Sequence, residues 1–142
     1  MSLNLKIKKL KPDAVLPSYA HQGDAGLDIF CLESVVIAPS ARVSVSTGIA
    51  MEIPEGYVGL IWDKSGLSAK NGLKVLGGVV DSGYRGEVFV SLINLSSEVH
   101  NFERGHRVAQ MIIQKKENTT VEEVTELSES VRGEGRFGST GK

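Results

Sequence analysis

The chain has 142 residues, a formal net charge of −1 and a single cysteine, Cys31. That length supports one domain with a real core. A near-neutral charge with basic residues spread along the chain argues against a duplex-binding surface, and one cysteine cannot close an intrachain disulfide. No run approaches a membrane span, and MSLNLKIKKLKPDA lacks the apolar core of a signal peptide. The expectation is a soluble cytoplasmic protein that engages neither nucleic acid nor membrane.

Sixteen glycines, few aromatics and many short Val/Ile runs favour β structure with frequent turns. LKIKKL alternates apolar residues with Lys and predicts an opening strand. Pro12 and Pro17 punctuate the loop that follows. Ala25–Cys31 is a strand entered through HQGDAG, and Val35–Ile37 is a short one closed by Pro39. Arg42–Ala50 alternates, with Val43 and Val45 on one face and Ser44 and Ser46 on the other. Tyr57–Trp62 is apolar throughout, as a strand buried on both faces would be. Asp63–Gly72 is the only convincing helical piece before the last third. Ser65 suits its N-cap and Asn71-Gly72 its stop. Leu73–Val80 and Val88–Asn94 read as two strands joined by Asp-Ser-Gly turn chemistry, a β-hairpin. Ser96-Ser97 turns the chain, Val99–Phe102 is weakly strand-like, and Arg107–Gln114 is a strong strand. Val121–Leu127 suits a strand or a short helix, with strand preferred. The last eleven residues have no apolar periodicity. Many short strands with almost no helix mean a sandwich, jelly roll or barrel.

The predicted hairpin tip, within GGVVDSGYRGE from Gly77 to Glu87, carries Asp81, Tyr84 and Arg85. A turn needs none of the three, although a polar tip with a Tyr folded on the sheet would look the same. The tail from Arg132 to Gly141 combines glycines, arginines, Ser139 and Thr140 with one large apolar residue, Phe137. Such a tail either frays or orders round an anion, because Gly-rich backbone can turn its N–H groups on phosphate. Gly133 and Gly138 are spaced as in a Walker A loop, but Ser139 stands where Lys belongs and no helix follows. Lys64-Ser65-Gly66 opens the short helix and is either an ordinary cap or a phosphate seat. Asp28 on the apolar run LDIF faces solvent, is paired, or holds a metal or its waters. Gln110 is a polar amide in an apolar strand. His21, His100 and His106 lack zinc spacing and read as structural or solvated.

Together these stretches resemble the trimeric dUTP diphosphatase (dUTPase) family through five motifs in order. They are AGLD at Ala25–Asp28, KSGLS at Lys64–Ser68, GGVVDSGYRGE at Gly77–Glu87, RGHRVAQMI at Arg104–Ile112 and RGEGRFGSTG at Arg132–Gly141. The resemblance implies an all-β, jelly-roll subunit with one short helix. Residues 1–131 would form the jelly-roll domain and 132–142 a C-terminal phosphate-binding lid. It also implies a homotrimer with sites shared between subunits, dUTP as substrate, and products dUMP and pyrophosphate. Asp81 would be the base that activates water at the α-phosphorus. Mg²⁺ would bridge the phosphates and reach the protein through water at Asp28 and Gln110. Lys64, Ser65, Arg132, Ser139 and Thr140 would hold phosphates, and Gly66, Gln110 and Gly138 would also bind the substrate. The Gly78–Val79 backbone would read uracil, Tyr84 would pack under the deoxyribose, and Phe137 would stack on the base. Lys64 stands where the family commonly has Arg, so a point charge replaces a bidentate fork. His106 replaces a common Asp, Arg136 a common Gly, Leu27 a common Tyr and Ser68 a common Ala. The alternatives are a dCTP deaminase or bifunctional enzyme of the same fold, and a non-catalytic nucleotide-binding module.

Overall fold

A computed structural model describes residues 2–141, so Lys142 of the expected lid lies outside the described residues. The described residues form ten strands and one short helix. In chain order they are β1 (Lys6–Lys9), β2 (Leu27–Phe30), β3 (Val35–Ile37), β4 (Arg42–Glu52), β5 (Tyr57–Trp62), α1 (Ser65–Asn71), β6 (Leu73–Val75), β7 (Val79–Val80), β8 (Glu87–Asn94), β9 (His100–Phe102) and β10 (Arg107–Lys115). Two four-stranded sheets, ordered β1-β4-β8-β6 and β2-β10-β5-β7, enclose the core, and β3 pairs with β9 in a small third sheet. Every strand pairing is antiparallel. The arrangement is jelly-roll-like and mostly β, as the turn-rich composition implies.

Period-two burial builds the core. In β8, Val88, Val90, Leu92 and Asn94 point inward, and Phe89 between them faces out. Val45, Ile49, Met51, Ile53, Val108 and Met111 fill the space between the sheets. Asn94 is the one fully buried amide of this strand. It donates from Nδ2 to the Ile37 and Glu98 carbonyls at 2.9 and 2.7 Å and accepts from Ser96 N–H and Oγ at 2.9 and 2.7 Å. Those bonds tie β3 and the Ser96 turn to the core, because a buried amide left unpaired is costly.

Four sequence expectations change. Leu73–Val80 is not one arm of a hairpin. β6 pairs with β8, but the chain then leaves that sheet, and Val79–Val80 pairs with β5 in the other. Leu76-Gly77-Gly78 is the crossing point. β5 is not buried on both faces: Gly59 and Ile61 are buried, while Trp62 is half exposed. Ser65 is the first helical residue and not the cap. Lys64 occupies the cap position with extended backbone and no side-chain cap bond. At the other end Gly72 does stop α1, at φ 65°, a conformation that favours glycine. Finally, Val121–Leu127 forms neither strand nor helix, and Val121 and Leu127 are almost fully exposed. Alternation alone makes no strand without a neighbour to pair with.

Candidate active site

The crossing point shapes a cleft of about 330 Å³ between β7 and β8, lined among others by Gly78, Val79, Asp81, Tyr84, Glu87 and Phe89. Gly78 lines it because its carbonyl accepts the Ile61 amide at 2.8 Å, pulling the loop onto β5. Beyond β7, Asp81 and Ser82 turn the chain, closed by Tyr84 N–H donating to the Asp81 carbonyl at 3.1 Å. The Asp81 residue is exposed, so its carboxylate is open to solvent. The Tyr84 hydroxyl donates to the Glu87 carbonyl at 2.8 Å, and its ring lies so close over Gly86 that a side chain there would collide with it. The ring is thereby held flat against the turn. β7 is the edge strand of its sheet, so one side of its backbone stays open to the cleft.

A second group gathers where β5 ends, around Trp62 and Asp63. Asp28 is 2% exposed, and its two oxygens accept from Lys64 Nζ and from Arg107 Nε, the latter at 2.7 Å. Asp28 is therefore a paired carboxylate and not a solvent-facing strand end. Arg107 also lies over the Phe30 ring, 5.3 Å from its centre. Gln110 sits between Asp28 and Trp62 in strand register and donates from Nε2 to the Asp63 carbonyl at 2.8 Å. Gly26 leaves room for the Gln110 side chain, since any Cβ there would meet Oε1. Ser65 and Gly66 are exposed at the start of α1. None of Asp28, Lys64, Ser65, Gly66 or Gln110 lines the cleft beside β7.

The third expected group stands apart from both. Arg132–Gly141 is exposed, and its hydrogen bonds are local turns, such as Arg132 Nε to the Gly135 carbonyl at 3.1 Å. Phe137 is completely exposed, and Gly138, Ser139 and Thr140 are exposed too. The structure thus divides the predicted residues among three places: the cleft beside β7, the region of buried Asp28 and the start of α1, and the tail.

The dUTPase family model matches residues 13–141. The chain belongs to the dUTPase family. As a member it is a hydrolase of nucleotide metabolism. It is 49% identical to the deoxyuridine 5'-triphosphate nucleotidohydrolase of Clostridium tetani, over 97% of both chains. It is 51% identical to that of a Hydrogenobaculum species, over 98% of this chain and 99% of the relative. Among solved structures, a mutant dUTPase of Staphylococcus bacteriophage 80alpha with dUpNHpp superposes with a TM-score of 0.89 at 34% identity, covering 98% and 99% of the two chains. A mutant dUTPase from phage phi11 of S. aureus, described for its coordination of a structural Mg(II) ion, superposes with a TM-score of 0.82 at 28% identity over 89% and 99%.

On this dUTPase scaffold two polar residues take places that the motifs did not foretell. Arg107 falls inside the fourth motif, yet its bond to Asp28 required the β2–β10 register to be seen. A sequence signal existed for Asp28, a lone charge on the apolar strand LDIF. Asp63, just ahead of the KSGLS motif, accepts the Val75 amide and Lys74 Nζ, each at 2.6 Å. Burial works to raise its carboxyl, but those bonds outweigh it and hold the group below the usual carboxylate range. His100 is pushed down by burial and by the neighbouring His106, and stacks edge-on against Phe102. His106 Nδ1 accepts the Glu103 amide at 3.1 Å. Among the described residues no three His, Cys, Asp or Glu side chains converge on a metal-sized point. Nor is any described helix long and apolar enough to cross a membrane.

Proposed function

We propose that this chain hydrolyses dUTP to dUMP and pyrophosphate. The observation that carries the reading is the convergence of Asp81, Tyr84 and the open backbone of Gly78–Val79 on one cleft. An edge strand can pair with the edge of uracil as it would with another strand, and the reversed donor pattern of cytosine would leave buried groups unpaired. Such mismatches discriminate by ~10⁴ or more. The Tyr84 ring, held by Gly86 and the Glu87 carbonyl, is rigid enough to act as a wall under the deoxyribose, where a 2'-hydroxyl would collide. The exposed Asp81 carboxylate orients a water and takes its proton as it attacks the α-phosphorus.

Lys64, Ser65 and Gly66 would hold phosphate oxygens at the start of α1, with Gln110 beside them. Lys64 has a buried partner in Asp28, and Arg107 remains on that carboxylate when Lys64 turns toward phosphate. Arg132, Gly138, Ser139 and Thr140 would close on the phosphates, and Phe137 would stack on the base; a fully exposed aromatic in a tail is a group awaiting a surface. The tail, residues 132–142, thus works as a lid on the domain of residues 1–131. That Asp28 and Lys64 lie outside the cleft of Asp81 fits sites completed between subunits of a homotrimer.

The residues suit Mg²⁺ that arrives with the triphosphate. Among the described residues no protein cage stands ready for a bare ion, but Asp28 and Gln110 are register partners and could share its waters. When bound, the ion neutralises charge on the leaving pyrophosphate.

Pyrophosphate release with Mg²⁺ from dUTP, dCTP, dTTP and UTP tests the reading. Release from dUTP alone is expected. Binding of dUTP without release would favour a nucleotide-binding module, and ammonia from dCTP a deaminase. Mixing Asp81→Asn protein with tail-deleted protein should restore activity after subunit exchange. No recovery despite exchange would count against shared sites.

A further inference from the structure

We infer that Asp63 is a positioning residue that sets the spacing between the phosphate side and the base side of the site, an inference resting on the dUTP reading above. Asp63 directly follows β5 and directly precedes Lys64. Its three acceptors all hold something different. Oδ1 takes the Val75 amide and Oδ2 takes Lys74 Nζ, each at 2.6 Å, while the main-chain oxygen takes Gln110 Nε2 at 2.8 Å.

The Val75 bond is the informative one. β5 and β6 belong to different sheets, so this single side chain joins them. β6 is an edge strand, and the next amide, Leu76 N–H, turns inward to the Ser91 carbonyl at 2.9 Å. The Val75 amide therefore points off the edge, where Asp63 meets it. A carboxylate kept only for a surface pair with half-exposed Lys74 would not need a side chain only 18% exposed with its other oxygen on a backbone amide. Three residues further on, Gly78 is tied to Ile61, two residues before Asp63. Leu76-Gly77-Gly78, the wall of the base cleft, is thus bracketed by two bonds to the end of β5. The same end carries Lys64-Ser65 outward and holds Gln110. In a symmetric assembly a shift between the two halves within each chain recurs in every site, so the argument holds whether they meet within one chain or across subunits.

This predicts a separation between fragment binding and whole-ligand binding. Each fragment needs one half of the site; the intact nucleotide needs both at the right distance. Asp63→Glu keeps the charge and lengthens the tether by one methylene. Asp63→Ala removes the tether, and Asp63→Asn can keep the Val75 bond while losing the charge on Lys74. Dissociation constants for dUpNHpp, dUMP and pyrophosphate would be measured by competition and calorimetry, beside kcat for dUTP. In Asp63→Glu and Asp63→Ala, dUMP and pyrophosphate should bind within about threefold of the unaltered protein. dUpNHpp binding and kcat should each fall about tenfold or more, since ångström-scale misplacement costs up to ~10². Asp63→Asn should recover most of both. Asp63→Glu serves if Asp63→Ala fails to fold. Equal weakening of fragments and dUpNHpp, or unchanged dUpNHpp affinity in folded Asp63→Glu, would overturn the inference alone. Failure of the unaltered protein to bind dUpNHpp would sink the dUTP reading and this inference with it.

Discussion

Gly78 rests against Ile61: its carbonyl accepts the Ile61 amide at 2.8 Å, and a Cβ added to Gly78 would stand 2.5 Å from the Ile61 carbonyl oxygen. The obstacle is backbone, which cannot swing aside as a side chain would. Gly78→Ala must push β7 away from β5 and open the cleft that β7 borders. Overpacking of this kind costs about 1–3 kcal/mol. The expected result is a lower melting temperature with dUTP turnover reduced far more than stability alone explains. A fully active Gly78→Ala protein would mean that the close approach is unimportant to the cleft.

Among the described residues the tail bonds only itself and Ser130 at its base, so its loss should leave the domain intact. Deleting residues 132–142 is expected to leave the melting temperature nearly unchanged and to remove most turnover. Circular dichroism melts and pyrophosphate release on the same preparation check both halves of the statement. Full turnover without the tail would remove the lid from the mechanism.

Asp28 is buried with two cations, one of them reached by solvent: the Arg107 side chain is 54% exposed. Removing one partner of a buried pair costs about 3–5 kcal/mol. Because water reaches Arg107, the expected loss for Arg107→Met is smaller, ~2 kcal/mol. Arg107→Lys should recover part of it. Urea unfolding with unchanged slope would report this as a shift in midpoint. No shift for Arg107→Met would show that Lys64 alone satisfies the carboxylate.

The Asp63 carboxyl lies below its ordinary value in the folded chain, burial notwithstanding, because Lys74 and the Val75 amide favour the ionised form. A depressed folded value means that its stabilisation is complete above the unfolded value of about 4 and is lost as pH falls through the folded one. The difference in unfolding free energy between the unaltered protein and Asp63→Asn should be constant near neutrality and shrink below about pH 4. A difference that stays constant through that acid range would contradict the assignment.

The lesson of the 73–80 segment lies in which interactions are local. The Asp81–Tyr84 turn was legible because Asp, Ser and Gly determine it within a few residues, and the Tyr84 amide indeed closes on Asp81. The split of the preceding strand was not. LKVLGGVV reads as strand on both sides of Gly77-Gly78, and only the Gly78–Ile61 contact and the Val79–Leu60 pairing show that the chain changes sheets there. Likewise, the exposure of Trp62 and the lack of a strand at Val121–Leu127 follow from which neighbours the chain supplies, not from propensity.

By itself the sequence determined the β-rich class, the stop at Gly72, the family motifs and the residue types able to do the chemistry. These are properties of turn chemistry, period-two burial and short motifs, each written within a few consecutive positions. Only the tertiary structure decided that Asp28 is shared by Lys64 and Arg107, that Gln110 hangs from Asp63, and that Asp63 reaches across to Val75. Those partners lie between 12 and 79 residues apart along the chain. Strand register and the approach of two sheets bring them together, and no local pattern of side chains encodes either.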